Sequence, residues 1–301
     1  MAQGRLLVIG CGNVARRALP QWLQHYDVTA LVRGPDPALA AAGVHLTTGD
    51  LDKPQTLLPL AGNADLVVHA APPAESGTKD VRTRNFLAAL DGRSGPSRAK
   101  RKSGAMLPQR VVYISTSGVY GDCGGDYVDE SRSRNALTDR ARRRVDAEIR
   151  ISRWCGERGI ALVILRVPGI YASDRLPLAQ LERGTPVLTD EDDVYTNHIH
   201  ADDLAAILTL ALSRGEGVYN ANDDSEMKMG TYFDLVADRM DLPRPPRVSR
   251  ASAPGRISPL MLSFMSESRR LVNRRIKCDL GIRLRYPTVY EGLPQATHHG
   301  H

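Results

Sequence analysis

Residues Leu6 to Arg17, LLVIGCGNVARR, constrain the fold more than any other stretch of the chain. Leu6, Leu7, Val8 and Ile9 form a short apolar run without alternation, which predicts a strand covered on both faces. Gly10, Gly12 and Ala15 follow in the spacing G-x-G-x-x-A. That spacing suits a dinucleotide: Gly10 allows a sharp turn, Gly12 leaves room for a pyrophosphate, and Ala15 lets the next helix pack close to the strand. The first amides of that helix then face the phosphates.

The rest of the first half repeats the strand-then-helix pattern. A helix is expected over Val14 to His25, then strands over Asp27 to Arg33, Gly43 to Thr47 and Ala64 to Ala71, and a helix over Asp80 to Leu90. Residues 91–109 carry Gly, Ser, Pro and basic residues and predict a mobile loop. A strand over Arg110 to Ser117, a helix over Thr138 to Arg158 and a strand over Ile160 to Arg166 complete the run. Such alternation predicts an α/β fold, a Rossmann-type doubly wound parallel sheet. Beyond Gly169 the pattern weakens. It leaves a short helix over Leu176 to Arg183, a helix over Ala201 to Ser213 whose opening Asp202 and Asp203 suit its dipole, and a late strand Gly217 to Asn220. Pro243, Pro245 and Pro246 stiffen the next segment, Pro259 to Asn273 reads as helical, and Arg283 to Pro287 as extended. The expected division is a dinucleotide domain over 1–168, also receiving 201–222, a smaller C-terminal substrate lobe from 169–200 and 223–290, and a flexible tail over 291–301. The tail's His298, His299 and His301 read as a frayed end rather than a metal site.

Composition narrows the partners. The 301 residues can bury a sizeable core, and the four cysteines, Cys11, Cys123, Cys155 and Cys278, lie far apart with no C-x-x-C pair. No zinc site or disulfide framework is expected, and a reducing cytoplasm suits the chain. The N-terminal apolar run is broken at Gly10 and Gly12, too early for a signal peptide. The runs Ile160 to Leu165 and Leu204 to Leu212 are too short to span a bilayer, so no membrane partner is expected. The net charge of +6 is spread out, apart from residues 93–110 and 140–144, and carries no nucleic-acid module. Anionic small molecules fit it better. A basic-loop reading as a nucleic-acid binder has only charge behind it.

The end of the second strand bears on the dinucleotide. An NAD site usually places Asp or Glu there for the ribose 2′-hydroxyl, whereas this chain has Arg33, with Arg16 and Arg17 after the glycine turn. A 2′-phosphate fits, so NADP is expected, with NAD the alternative in which Asp36 turns back to the ribose.

The motifs together resemble the extended short-chain dehydrogenase/reductases, the NAD(P)-dependent sugar-nucleotide epimerases and dehydratases. Gly10 to Ala15 resembles the glycine turn, Gly49-Asp50-Leu51 the adenine-side motif, and His69-Ala-Ala71 the strand end beside the nicotinamide ribose. Ile114 to Gly121 is similar to the catalytic serine/threonine strand, and Leu165 to Tyr171 and His198 to Leu204 to two later signatures. Glu267 to Lys277 followed by Leu284 to Pro287 resembles an atypical subgroup, as does the G-x-G-x-x-[GA] turn. The resemblance implies cofactor contacts at Gly10, Cys11, Gly12, Asn13, Val14, Arg33, Asp50, Leu51, Ala70, Ala71, Pro72, Ser115, Arg144, Val167 and Pro168. It implies a carbonyl or hydroxyl substrate, a nucleotide sugar among the candidates, and a homodimer as an option.

The chemistry departs from that family. Its members transfer a proton through a tyrosine followed four residues later by lysine, and none of the ten tyrosines here has a lysine at that distance. Aligning on Glu148 places Arg144 at the lysine position and Arg140 at the tyrosine position. Arg144 keeps a positive charge for the nicotinamide ribose, but Arg140 cannot donate a proton. Thr116 matches the catalytic serine/threonine, with Ser115 and Ser117 as fallbacks, and Tyr120 and Asp122 are nearby substitutes for the missing acid. Ser117 and Gly118 stand where dehydratases carry two carboxylates, which disfavours dehydration. The expected function is an NADP-favouring oxidoreductase or epimerase with a nonstandard site of Thr116, Tyr120 and Arg144. The alternative is a catalytically silent NADP-binding sensor or interaction protein.

Overall fold

A computed structural model describes residues 4–93 and 106–294. Most of the loop expected over 91–109 and the three tail histidines lie outside the described residues. Seven strands form one parallel sheet: β1 (Arg5–Ile9), β2 (Asp27–Val32), β3 (His45–Thr48), β4 (Leu66–His69), β5 (Arg110–Thr116), β6 (Ala161–Val167) and β7 (Gly217–Asn220). Their spatial order is β7-β6-β5-β4-β1-β2-β3.

β1 lies inside the sheet, and its four apolar residues alternate between two cores. Leu6 and Val8 face helices α1 (Asn13–His25) and α4 (Ala201–Ala211), while Leu7 and Ile9 face α2 (Val81–Leu90) and α3 (Asp139–Gly156). Both faces being covered, the run needs no polar alternation. Each such side chain stabilises the fold by roughly 1.5–3 kcal/mol. Trp22 is fully buried between α1 and α4, and its indole N–H donates to Thr209 Oγ1 at 2.9 Å. Strand order reverses between β1 and β4, so a crevice opens at their carboxyl ends.

A smaller lobe caps that end of the sheet. Its core includes Tyr171, Leu188, Phe233, Val236 and Val289, around helix α5 (Met229–Arg239). The lobe's strands are short and are fixed by bonds between distant segments. Arg270–Leu271 pairs with Tyr127–Val128, and Asn197 both donates to Arg269 O at 3.0 Å and accepts from the Leu271 amide at 2.7 Å.

Two local expectations differ from the structure, while Asp202 and Asp203 lie in the first turn of α4 as expected. The helix expected over Pro259 to Asn273 covers only Pro259–Phe264. Ser258 caps it, but the chain beyond gains more from pairing with Tyr127–Val128 than from another helical turn. At the start of α4 the cap is His200, whose Nδ1 accepts from the Asp202 amide at 3.2 Å. Asp203 instead accepts from the Arg285 and Tyr286 amides at 2.7 and 2.9 Å, tying the C-terminal segment to the helix. Residues 291–294, placed in the tail, are part of the lobe: Glu291 and Thr288 form a capping box and Leu293 is buried.

Candidate functional site

Two cavities open at the carboxyl end of the sheet. The first, about 650 Å³, follows the glycine turn and is lined by Gly10, Cys11, Gly12, Arg33, Asp50, Leu51, Ala70, Ala71 and Pro72, among others. Gly10 has φ +87°, and a Cβ there would stand 2.5 Å from the Ala71 amide nitrogen. Gly12 differs: a Cβ there meets nothing within 4 Å and would enter the open cavity. Gly12 is also the N-cap of α1, with no side-chain cap and no acidic residue in the first turn. The helix's first amides and its positive end are therefore left for an anionic ligand. A pyrophosphate fits this cradle.

The neighbours of the cradle are held by their own contacts. Asp36 pairs with Arg16 and caps the short helix Pro37–Ala41 by accepting from the Leu39 amide at 3.1 Å. Arg33 is exposed at the cavity edge and has no carboxylate within ion-pair distance among the described residues. Arg82, which the sequence did not single out, also lines the cavity and grips Asp52 with Nε and Nη2 at 2.9 and 2.6 Å. Burial pushes the Cys11 thiol up to about 11, so it stays protonated at neutral pH.

The side chains of several residues expected at the cofactor are engaged elsewhere. Val14 and Val167 are buried in the core, and Asn13 donates to Asp174 Oδ2 at 2.8 Å while accepting from Arg17 at 3.1 Å. His69 sits in the interior with Nε2 on Thr83 Oγ1 at 2.9 Å, and burial lowers its pKa to about 3. It contributes position, and the Ala70 and Ala71 backbone lines the cavity.

Ser115 donates to Glu148 Oε1 at 2.6 Å, away from both cavities. Glu148 is wholly buried and also receives Arg166, Nε at 3.2 Å and Nη2 at 2.9 Å. The Arg166 guanidinium lies 4.6 Å over the Tyr120 ring, whose hydroxyl donates to Asn220 Oδ1 at 2.8 Å. The acid role considered for Tyr120 meets a physical obstacle. The ring is 1% exposed, lines neither cavity, and burial pushes its pKa up to about 12. It is a packing member of a network joining β5, α3, β6 and β7.

The second cavity, about 430 Å³, lies between the sheet and the lobe, and its lining includes Thr116, Ser117, Gly118, Arg140, Pro168 and His198. Thr116 ends β5, and its Oγ1 accepts from the Gly118 amide at 3.3 Å. That leaves the hydroxyl proton free to donate. Arg144, one turn along α3 from Arg140, donates to Ile114 O at 2.9 Å and to Tyr113 Oη at 3.1 Å, fixing the helix against β5. His198 stacks on Tyr232 at 4.1 Å, and burial lowers its pKa to about 3, so the imidazole is neutral. Asp122 faces the lobe, accepting from the Ser268 amide at 2.8 Å.

The family model described as NAD(P)H-binding matches residues 10–214, from the glycine turn to the end of the α4 region. The chain belongs to the NAD(P)H-binding family. Its seven-stranded sheet gives it the fold of solved epimerase and dehydratase structures. Among solved structures it is similar to a conserved protein of unknown function from Silicibacter pomeroyi, at 28% identity over 96% of both chains and a TM-score of 0.74. A candidate NAD-dependent epimerase/dehydratase from Methylobacillus flagellatus shares 24% identity, over 97% of this chain and 96% of that one, with a TM-score of 0.71. The UDP-glucose 4-epimerase of Thermotoga maritima, solved with UDP-glucose, shares the fold at 16% identity, 97% coverage of both chains and a TM-score of 0.75. No curated protein matches the sequence. No helix among the described residues is long and apolar enough to cross a membrane, and none of their His, Cys, Asp and Glu side chains form a group that could hold a metal ion.

Proposed function

We propose that this NAD(P)H-binding protein is an NADP-dependent oxidoreductase or epimerase that moves hydride between the nicotinamide and a carbonyl or alcohol carbon held in the second cavity. The observation that carries this reading is the position of the Thr116 hydroxyl. It stands at the end of β5, on the same sheet edge as the glycine cradle, and lines the only one of the two cavities that the lobe covers.

When bound, the dinucleotide supplies the hydride donor or acceptor. Gly10 and Gly12 shape the turn around its pyrophosphate, the α1 amides bind the phosphate oxygens, and Arg33 recognises a ribose 2′-phosphate. Thr116 donates its hydroxyl proton in a hydrogen bond to the substrate oxygen, which carries growing negative charge as the carbon gains hydride. Arg144 holds the first turns of α3 against β5, and Arg140 on the same helix lines the cavity with Thr116. The nucleotide-sugar substrate of the Thermotoga relative is one option for the second cavity. The free cysteines accord with a cytoplasmic setting.

Arg140 at the tyrosine position favours a second reading, an NADP-binding sensor without turnover. NADPH oxidation against a panel of ketones and nucleotide sugars separates the two. Turnover that falls roughly a hundredfold or more in Thr116→Val and returns in Thr116→Ser supports the enzyme. Cofactor binding with no turnover on any of them supports the sensor.

A further inference from the structure

The second cavity holds more positive charge than polarising a carbonyl requires. Arg140, Arg175 and Arg269 line it, against a single carboxyl group, Glu267. Arg269 and Glu267 pair with one another, Nη1 donating to Oε2 at 2.9 Å, and Arg269 also donates to Gly121 O at 2.6 Å. His198 adds no further positive charge, because its buried imidazole is neutral.

That leaves two guanidinium groups lining the cavity that make no ion pair, with Glu267 acting on Arg140 only from beyond ion-pair distance. Among the described residues neither Arg140 nor Arg175 has a carboxylate within ion-pair distance. Arg140 is half-buried, its guanidinium 4.0 Å over the face of Phe264. Partial burial lowers its pKa from the ordinary value, and the nearby Arg143, Arg269 and Arg144 push the same way against the opposing charge of Glu267. Such a group is costly unless a ligand supplies the charge. The wall beside it is apolar, from Phe264, Met261, Met229, Tyr232 and Phe233. Arg140 also lines the same cavity as Thr116, on a helix held to β5 by the Arg144 bond to Ile114 O.

The geometry points to an organic anion as the substrate, a carbonyl compound whose carboxylate or phosphate is gripped by Arg140 and Arg175 while its apolar body lies on Phe264 and the two methionines. Arginine suits this grip because its planar donors match either oxyanion. The place of a proton donor in the family has become an anion clamp. The link to a carbonyl rests on the hydride-transfer reading above, while the anion site stands without it.

Calorimetry on the full chain, with and without NADPH, tests the site with three probes: benzoylformate, its neutral methyl ester, and phenyl phosphate. The expected result is binding of at least one anion, with the ester weaker by about tenfold or more, and a similar loss for that anion in Arg140→Gln that Arg140→Lys partly restores. Arg175→Gln, on an exposed side chain, should show the same direction with little risk to the fold. Preference for benzoylformate or for phenyl phosphate tells a carboxylate from a phosphate. An ester that binds as tightly as the acid, an unchanged affinity in Arg140→Gln, or no binding of either anion overturns the proposal. Parallel NADPH oxidation keeps the two claims apart. Benzoylformate that binds without being reduced removes the hydride reading alone, and turnover confined to neutral ketones removes the anion site alone.

Discussion

Gly10 and Ala71 face each other backbone to backbone, so close that a Cβ on Gly10 would lie 2.5 Å from the Ala71 nitrogen and 2.6 Å from its Cα. This contact joins β1 to the end of β4 and sets the mouth of the dinucleotide cavity. Gly10→Ala adds a side chain at positive φ and forces the two strand ends apart, which should destabilise the fold by about 2 kcal/mol or more. Gly12→Ala places its methyl group in open space, so stability should hold within about 1 kcal/mol while affinity for NADPH falls. Chemical denaturation and calorimetry on both variants separate the two roles.

Glu148 tests the network beneath the site. Its carboxylate receives Ser115 and the fork of Arg166, and both Glu148 and Arg166 are buried. Glu148→Ala strands the Arg166 charge and should cost about 3–5 kcal/mol in denaturant unfolding. Cofactor affinity measured below the unfolding transition should change little, since Glu148 lines neither cavity.

Asp223 predicts a pH effect of the less common sign. It is 1% exposed, Oδ1 accepts from the Ser225 amide at 3.0 Å, Oδ2 has no partner, and burial raises its pKa to about 7. The unfolded value is about 4, so between about pH 4 and 7 the folded state binds the extra proton. Stability is then greatest below about pH 4 for this group and is lost as pH rises through 7, by on the order of 4 kcal/mol at most. Asp223→Asn should be nearly free of this decline, and the difference between the two proteins' unfolding free energies across pH 4–8 isolates it.

The first half of the chain was legible because its physics is local. Parallel strands covered on both faces appear as unbroken apolar runs such as Leu6 to Ile9 and Val111 to Ile114, and the glycine turn has one conformational purpose. The lobe was harder, since its two-residue strands are set by distant bonds such as Asn197 to Arg269 and Leu271. The substrate cavity suffered most. Arg140 was noticed as a departure from a motif, but its meaning needs Arg175 and Phe264, which lie 35 and 124 residues away in sequence and meet it only in the fold. Tyr120 shows the converse: its place in a familiar motif is open to chemistry or packing, and the burial of its ring favours packing.

The central claim, a dinucleotide site that prefers the 2′-phosphate, is tested most directly by calorimetric titration of the wild-type chain with NADPH and NADH. Arg33 has no carboxylate to neutralise it among the described residues, so NADPH should bind more tightly by about tenfold or more. Arg33→Ala should erase most of that difference while leaving NADH affinity nearly unchanged. Tighter binding of NADH, or no binding of either dinucleotide, would contradict the account.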